Sequence, residues 1–324
     1  MIPAAPAYRL DDLGDRRVLT VGERRYATEY SARVLRMLIE RKGPHRTPPY
    51  LSYKETRGRH FLGRLFDYLA RRGARPLRVL EVGCSFGHIT HYLAERPEVA
   101  EIMTFDTDRA FVEITRAQVA DLDLRAVREV AHFTSAETLA LPYADGAFDL
   151  VIAVGVVEHL PTANRSVHVE EYYRVVAPGG HVAILDTPNR AFPFETHSVG
   201  LPFVQWLPPG LAWRYARLCR SGAYAAEPFE EFIAEGTGWR NASFRECLPW
   251  SAASRVADVT EEAGYGWRFF RDTARSRTRR ALLPAFAVAV QPDHSQVGVV
   301  SNVQVLSDQV PDVSSIDAWK KSFL

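Results

Sequence analysis

The chain has 324 residues, enough to bury one large core and still carry an attached lobe. Its 40 Lys and Arg residues nearly balance its 39 Asp and Glu residues, and the formal net charge of +1 argues against attraction to nucleic acid or anionic lipid. Three cysteines without metal-type spacing and an amino-terminal stretch without an apolar signal region predict a soluble, cytoplasmic protein that does not insert into membranes.

The first part of the chain reads as helical. Helical spacing of apolar residues runs through residues 30–40 and again through residues 60–72. The turn-rich stretch KGPHRTPPY separates the two. The sequence therefore predicts a helical extension over residues 1–75, placed ahead of the main sheet.

Strand and helix patterns then alternate. The predicted strands cover residues 78–82, 101–105, 127–133, 148–154 and 181–186, and the predicted helices cover residues 86–95, 108–122 and 165–176, the last ending at Pro178-Gly179-Gly180. The strand at 148–154 is almost continuously apolar, which is typical of a parallel strand buried on both faces. This alternation predicts an α/β fold with a Rossmann-like, doubly wound, mostly parallel sheet.

The pattern breaks after the fifth strand. Residues 187–249 are aromatic and proline-rich, and they are too long for a simple connection. A helix at 251–263 closed by Gly264 and strands at 267–271 and 297–306 are predicted to follow. The predicted organisation is a helical extension (1–75), a core (76–189), an inserted lid (190–250), the C-terminal part of the core sheet (251–307) and a tail (308–324).

A glycine turn lies between the first predicted strand of the core and its helix. Gly83 and Gly87 stand where unusual backbone angles and close approach of a ligand to bare backbone are needed. Asp106 ends the next strand, 23 positions after Gly83, where a carboxylate can accept both hydroxyls of a ribose. The alternative role for Asp106 is a helix N-cap, which Asp108 fills equally well.

These residues resemble class I S-adenosylmethionine-dependent methyltransferases. VLEVGCSFGHIT (79–90) is similar to their first motif, TFDTDRAFVEITR (104–116) to the second, residues 133–160 to the third and fourth, and YRVVAPGGHVAILDTPN (173–189) to the segment around the fifth strand. The resemblance implies S-adenosyl-L-methionine as cofactor. The residues implied to bind it are Glu81, Gly83, Cys84, Ser85, Gly87, Asp106, Thr107, Ser135, Ala136, Glu137 and Val154.

Two of these positions depart from the family, and one opens a rival interpretation. Ser135 stands where an aspartate is common, and Ser85 replaces the usual middle glycine. GCSFG also matches G-x-S-x-G, the nucleophile turn of serine hydrolases. Such a turn follows several sheet strands, whereas the sequence ahead of Arg78 reads as helical or turn-rich. A nicotinamide-dependent oxidoreductase and a non-catalytic binding protein of the same fold also stay open.

Histidines are the candidates for acceptor chemistry. His159 follows Glu158 just beyond the fourth predicted strand, and His197 lies in the inserted segment within Glu195-Thr196-His197. We assign Glu158, His159 and His197 as candidate catalytic residues, since removing a proton from a hydroxyl needs a base. Glu158-His159 is similar to the end of the E-x-x-E-H magnesium motif of ubiquinone-biosynthesis O-methyltransferases. Gly155 replaces the leading acid, so no metal is predicted.

The predicted function is methyl transfer to a small-molecule or glycan acceptor, with a hydroxyl oxygen preferred over nitrogen or carbon. The inserted segment resembles a stretch of methyltransferases in bacterial polysaccharide and secondary-metabolite pathways. Its aromatic residues are expected to pack a small core rather than to wall an acceptor pocket; they are Phe192, Phe194, Phe203, Trp206 and Trp213. A nucleic-acid partner is not expected, and a homodimer stays open.

Overall fold

A computed structural model describes residues 8–14, 16–73, 76–195, 197–218, 224–234, 236–249, 256–265 and, as backbone, 295–302. The chain divides into two compact units, Met1–Ser135 and Ala136–Leu324. Within the described ranges, each helix is too short or too polar to span a lipid bilayer.

The first unit opens with a three-stranded antiparallel sheet. Its strands are β1 (Arg9–Asp12), β2 (Arg17–Val21) and β3 (Arg24–Thr28), paired in that order. Leu19 and Val21 alternate along β2 and pack into one apolar cluster. The prediction that residues ahead of Arg78 are only helical or turn-rich was therefore wrong for this stretch.

Helices follow the small sheet, as predicted. Helix α1 (Ala32–Lys42) begins where the Ser31 hydroxyl accepts the backbone N–H of Val34 at 3.1 Å. A 3₁₀ turn (Pro48–Ser52) and a π-helix (Lys54–Leu62) lead into α2 (Gly63–Arg71). Leu35 and Leu38 of α1 pack in one buried cluster with Phe86 and Ile114, which come later in the same unit.

Three parallel strands complete the first unit. They are β4 (Leu77–Val82), β5 (Val99–Asp106) and β6 (Val127–His132), in the order β6-β5-β4. Helices α3 (His88–Ala94) and α4 (Arg109–Asp121) connect them. Because parallel strands end at one edge of a sheet, the residues after β4 and β5 lie close together.

The second unit contains β7 (Phe148–Val154) and β8 (Val176–Pro188), which are parallel and joined by α5 (Arg165–Val175). The helix ends at Val175, ahead of the predicted Pro-Gly-Gly. That tripeptide forms an irregularity in β8 instead. A Cβ on Gly180 would lie 2.7 Å from the carbonyl oxygen of Asp149, so only glycine lets the two strands approach there.

The described residues between 190 and 249 contain a buried apolar cluster of their own. Helices α6 (Pro209–Ala216) and α7 (Phe229–Phe232) lie in this segment, with 3₁₀ turns at Val204–Trp206 and Phe244–Cys247. Trp213 packs against this buried cluster, as predicted. The packing prediction was wrong for three other aromatic residues, which are 42–50% exposed: Phe194, Phe203 and Trp206.

The last described elements are two strands. Strand β9 (Val256–Asp258) and a turn closed by Gly264 occupy the predicted helix, so that helix was wrong in its described part. Strand β10 (Ser295–Asn302) runs antiparallel to both β8 and β9, giving the order β7-β8-β10-β9. The predicted strand at 267–271 and the tail lie outside the described residues. The Rossmann-like α/β fold, with its mostly parallel strands, is confirmed.

Candidate functional site

The glycine turn after β4 is bound to the end of β5. Gly83, Ser85 and Gly87 all have positive φ, of 78°, 49° and 80°. The N–H groups of Gly83 and Cys84 both donate to the carbonyl of Phe105 at 2.9 Å. A left-handed conformation at a non-glycine residue is strained, and strain of this kind concentrates at ligand sites. The turn is thus held in a fixed, compact shape beside β5.

Asp106 fixes the same turn from the other side. Its Oδ2 accepts the N–H of Ser85 at 2.8 Å, and its Oδ1 accepts the N–H of Asp108 at 2.9 Å. The N-cap role belongs to Asp108, whose Oδ1 accepts the N–H of Ala110 at 2.8 Å. Each carboxylate oxygen of Asp106 keeps a second lone pair, so the residue can also accept hydroxyls of a ribose.

Glu81 presents one carboxylate oxygen without a partner in the described part of the chain. The side chain is 2% exposed, and its Oε2 accepts the Thr90 hydroxyl at 2.6 Å. Its Oε1 is buried and has no hydrogen-bond partner there. Burial raises the pKa of Glu81 to about 7. A buried acceptor of this kind fits a cationic donor such as the amino group of a methionine moiety.

Other residues implied to bind the cofactor have different surroundings. The Cys84 side chain is fully buried, so it makes no contact with a ligand. Its backbone N–H donates to the carbonyl of Phe105, and burial raises the pKa of its thiol. Thr107 is exposed just after β5. In the second unit, Ala136 precedes a 3₁₀ turn that starts at Glu137, and Val154 ends β7.

The serine-hydrolase interpretation finds no support in the first unit. In its described part, no hydrogen bond joins the Ser85 hydroxyl to an imidazole. His88 lies nearby but is buried, with its ring stacked on Phe86 at 4.7 Å. Burial lowers the pKa of His88 to about 3, so this ring stays neutral. Among the described residues of the first unit, the strained serine therefore lacks the base that a nucleophile needs.

The three candidate catalytic residues come together in the second unit. The Nε2 atoms of His159 and His197 are 3.1 Å apart. Oε1 of Glu158 lies 3.9 Å from Nε2 of His159 and 4.0 Å from Nδ1 of His197. The Glu158 side chain is fully buried, while the His159 and His197 side chains are 38% and 25% exposed. Residues far apart in sequence thus form one polar cluster open to solvent on the imidazole side.

Each member of this cluster is held by a specific neighbour. The Thr187 hydroxyl, at the end of β8, donates to Oε2 of Glu158 at 3.0 Å. The carbonyl of Gly236 lies 2.7 Å from Nδ1 of His159. Because a carbonyl only accepts, Nδ1 carries the proton, and Nε2 of the neutral ring presents a lone pair to His197.

A buried carboxylate shapes the loop that carries His197. Glu195 is fully buried and accepts four consecutive backbone N–H groups at 2.5–3.0 Å. The donors are His197, Ser198, Val199 and Gly200. Glu195 therefore holds the loop in shape through its hydrogen bonds, and His197 places its side chain in the cluster.

A cleft of about 420 Å³ opens beside the cluster. Its lining includes Glu158, His159, Arg165, Arg190, Gly238 and Trp239. Gly238 has φ of 74°, and a Cβ there would lie 3.0 Å from Cε1 of His159 and 3.1 Å from Cδ2 of His197. The absence of a side chain at this position lets the loop lie directly over both imidazoles.

Arg165 is a structural residue that the sequence analysis missed. It is 2% exposed, and its guanidinium donates to the carbonyls of Glu158, Leu160 and Asn241 at 2.8–3.3 Å. It also pairs with Glu246, which Arg190 contacts as well. One signal was present in the sequence: a basic residue that opens a helix opposes the helix dipole.

Comparison with known proteins covers the core of the chain. Residues 80–184 match a family model described as a methyltransferase domain. A demethylmenaquinone methyltransferase of Thermus thermophilus is 35% identical over 116 residues, 35% of this chain and 48% of that protein. A chloroplastic tocopherol O-methyltransferase of Arabidopsis thaliana is 33% identical over 35% of this chain and 31% of that protein.

A solved structure of the YcgJ protein from Bacillus subtilis aligns with 75% of this chain and 99% of that one, at 14% identity and a TM-score of 0.43. The chain spans less than half the length of the two curated relatives above. Residues 80–184, which match the family model, include the glycine turn, Glu81 and Asp106. The match identifies residues 80–184 as a methyltransferase domain, for which the sequence motifs imply S-adenosyl-L-methionine as cofactor.

Proposed function

We propose that the chain transfers a methyl group from S-adenosyl-L-methionine to a hydroxyl oxygen of a small-molecule or glycan acceptor. The observation that carries the choice of oxygen is the cluster of Glu158, His159 and His197 at the edge of a 420 Å³ cleft. A hydroxyl becomes a good nucleophile when its proton is removed, and imidazoles beside a carboxylate supply a base that can remove it.

The cofactor half of the reaction rests on residues of the first unit. Asp106 would accept the ribose hydroxyls, Glu81 would face the amino group, and the turn Gly83–Gly87 would lie against the methionine part. The bound cofactor supplies a methyl group on a sulfonium, which is transferred by in-line displacement. The chain's contribution there is alignment of the two reactants.

The acceptor half rests on the second unit. Nε2 of His159 carries the ring's lone pair because the Gly236 carbonyl accepts Nδ1–H, and an acceptor hydroxyl would donate to this lone pair in place of His197. When this ring takes the acceptor proton, the buried carboxylate of Glu158, 3.9 Å away, would stabilise the resulting positive charge. The 38% exposure of the His159 side chain leaves room for an acceptor to approach.

Nitrogen and carbon acceptors are the alternative. Ajmaline N-methyltransferase of Rauvolfia serpentina is 28% identical over 116 residues, so relatives of this chain include an enzyme named for nitrogen. The cofactor half is equally suited to each acceptor atom. Oxygen is preferred because an amine with an available lone pair needs no strong base, whereas a hydroxyl does.

The first test is calorimetric titration of the protein with S-adenosylhomocysteine. Wild type should bind one equivalent, and Asp106→Ala should weaken binding by about tenfold to 100-fold, the effect of losing about 1.4–2.7 kcal/mol of charge-assisted hydrogen bonds. Asp67→Ala, on the exposed face of α2, is the matched control and should bind like wild type. Absence of binding by wild type would overturn the proposed function.

A further inference from the structure

We propose that Glu158, His159 and His197 form a binding site for one divalent first-row transition-metal ion, of which Zn²⁺ and Co²⁺ are representative. The binding site is inferred from the cluster itself. The use of the ion in catalysis rests on the proposed function, since the ion would lie where the acceptor hydroxyl is expected. The sequence predicted no metal, because the acidic residue of the magnesium motif is missing at Gly155.

The distances among the donor atoms suit a metal centre. Two nitrogens bound to one zinc at 2.0–2.1 Å are about 3.4 Å apart at a tetrahedral angle and about 2.9 Å apart at a right angle. The two Nε2 atoms here are 3.1 Å apart. One ligand atom from each of the three residues can be chosen so that all lie within 4.8 Å of one another. A small rotation of the Glu158 carboxylate would bring its Oε1 to the same centre.

The neighbours of the cluster hold the ligand atoms in the orientation that a metal requires. A metal-binding histidine commonly donates its other N–H to a carbonyl or a carboxylate, which fixes the ring. Nδ1 of His159 makes this contact with the Gly236 carbonyl. Thr187 holds Oε2 of Glu158, so that Oε1 is the oxygen directed at the imidazoles. Glu195 fixes the loop of His197. The ligands are therefore organised before any ion arrives.

The donor types indicate which ions would bind. Two imidazole nitrogens and one carboxylate oxygen suit zinc, cobalt, nickel and iron, whereas magnesium prefers oxygen ligands throughout. Three protein ligands also leave coordination positions open for water or for an acceptor oxygen. The site therefore differs in ion preference from the magnesium motif that Glu158-His159 resembles.

A second group of similar composition provides a contrast. Glu29, His91 and Glu95 in the first unit also place their ligand atoms within 4.8 Å of one another. There the ammonium of Lys54 contacts both carboxylates, and its Nζ lies 3.1 Å from Oε1 of Glu95. The lysine supplies the positive charge that a metal ion would bring. We therefore assign a metal to the Glu158 cluster and none to the Glu29 group.

The ion would act on the acceptor hydroxyl. An oxygen bound to a divalent ion loses its proton to solvent water more readily, because the ion stabilises the negative charge left on oxygen. That oxygen then forms a bond to the methyl carbon while the bond from carbon to sulfur breaks and its electrons stay on sulfur. The products are the methyl ether and S-adenosylhomocysteine. In this form His159 is a ligand, and water takes the proton.

The test is titration of untagged, chelator-treated protein with Co²⁺, followed by the visible absorption of the bound ion. Wild type should bind one Co²⁺ per chain, and Zn²⁺ should displace it. His197→Ala and Glu158→Gln should each weaken binding by about 100-fold, in line with the loss of a direct ligand. His45→Ala, an exposed histidine of the first unit, is the matched control and should bind like wild type.

Two results would overturn the site: no stoichiometric Co²⁺ spectrum with wild type, or equal weakening by His45→Ala and His197→Ala. If His197→Ala fails to fold by circular dichroism, the near-isosteric Glu158→Gln carries the test. S-adenosylhomocysteine binding is measured on the same samples. If wild type does not bind S-adenosylhomocysteine, the methyltransferase proposal is refuted. If wild type binds it but gives no Co²⁺ spectrum, only the metal site is refuted.

Discussion

At the residue scale, Glu81 makes the stability of the fold depend on pH. Burial raises its pKa from 4.5 to about 7 in the folded chain. Between these values the folded state holds a proton that the unfolded state has already lost. The free energy of unfolding therefore falls as pH rises through this window, by up to about 3 kcal/mol. The stabilisation is fully present below pH 4.5 and is lost above about pH 7.

Glu81→Gln should remove this dependence. Urea unfolding at pH 5 and at pH 7.5 should show that wild type loses more stability than the variant does. The comparison isolates Glu81, because His88, whose pKa burial lowers to about 3, contributes with the opposite sign in both proteins. Glu113→Gln, an exposed residue of α4, is the control. Parallel behaviour of wild type and Glu81→Gln would show that the carboxyl is not protonated near neutrality.

Gly238 allows a second prediction at this scale. Gly238→Ala places a methyl group about 3 Å from both imidazoles, at a backbone φ of 74°. The control is Gly179→Ala, a position outside the cluster that has the same kind of strain, with φ of 78°, but open space around the new Cβ. Both should lose about 1–2 kcal/mol of stability by chemical unfolding. Only Gly238→Ala should also weaken Co²⁺ binding, and equal effects of both variants on Co²⁺ would contradict the contact.

Sequence reasoning located the glycine turn and Asp106 better than the residues that support the cluster. Gly83, Gly87 and Asp106 stand at fixed places in a local motif of strand, turn and helix, and the structure has that turn with Asp106 bonded to it. Glu158 and His159 are adjacent in sequence and were found for that reason. Arg165 contacts Asn241, and Gly238 lies against His159; in each pair the two positions are more than 70 residues apart. No local pattern encodes such pairs, because they depend on how the inserted segment folds back.

At the element scale, the loop of His197 depends on one buried carboxylate. Glu195→Gln replaces an acceptor of four N–H groups by an amide whose NH₂ faces donors. The loop should lose about 2–4 kcal/mol of stability, the cost of leaving buried donors unsatisfied. Thermal unfolding and Co²⁺ affinity should both decline, whereas Glu230→Gln on the exposed face of α7 should change neither. Unchanged Co²⁺ affinity in Glu195→Gln would show that the loop is held by other contacts.

The elements themselves differ in how clearly the sequence encodes them. Strand β7 was predicted with correct ends because its apolar run is continuous. Strands β1, β2 and β3 were missed because charged residues interrupt short apolar alternation, although Gly22 between β2 and β3 is a hairpin signal. The helix predicted at 251–263 rested on composition. Strand β9 lies there because pairing with β10, a contact distant in sequence, outweighs local propensity.

At the scale of the whole molecule, the two ligands should protect different segments from hydrogen exchange. S-adenosylhomocysteine should give its largest protection at residues 81–87 and 104–108, in the first unit. Zn²⁺ should give its largest protection at residues 156–160 and 195–200, in the second. Ligand at 100 times its dissociation constant adds about 2.7 kcal/mol of stability, enough to slow exchange of protected amides about 100-fold. Zn²⁺ protection confined to the first unit would contradict the assigned site.

Arg165 has a consequence for how the chain acquires its structure. Its guanidinium connects the segment around Glu158 to Asn241, 76 positions further along, and to Glu246. A chain made from its amino terminus can complete β7 and α5 long before these partners emerge. Until then the arginine has only the nearby carbonyls of Glu158 and Leu160, and it lacks the distant acceptors Asn241 and Glu246. The region around His159 should therefore reach its native structure late in folding. Truncation before residue 241 should leave this region unstructured even where the parallel strands have formed.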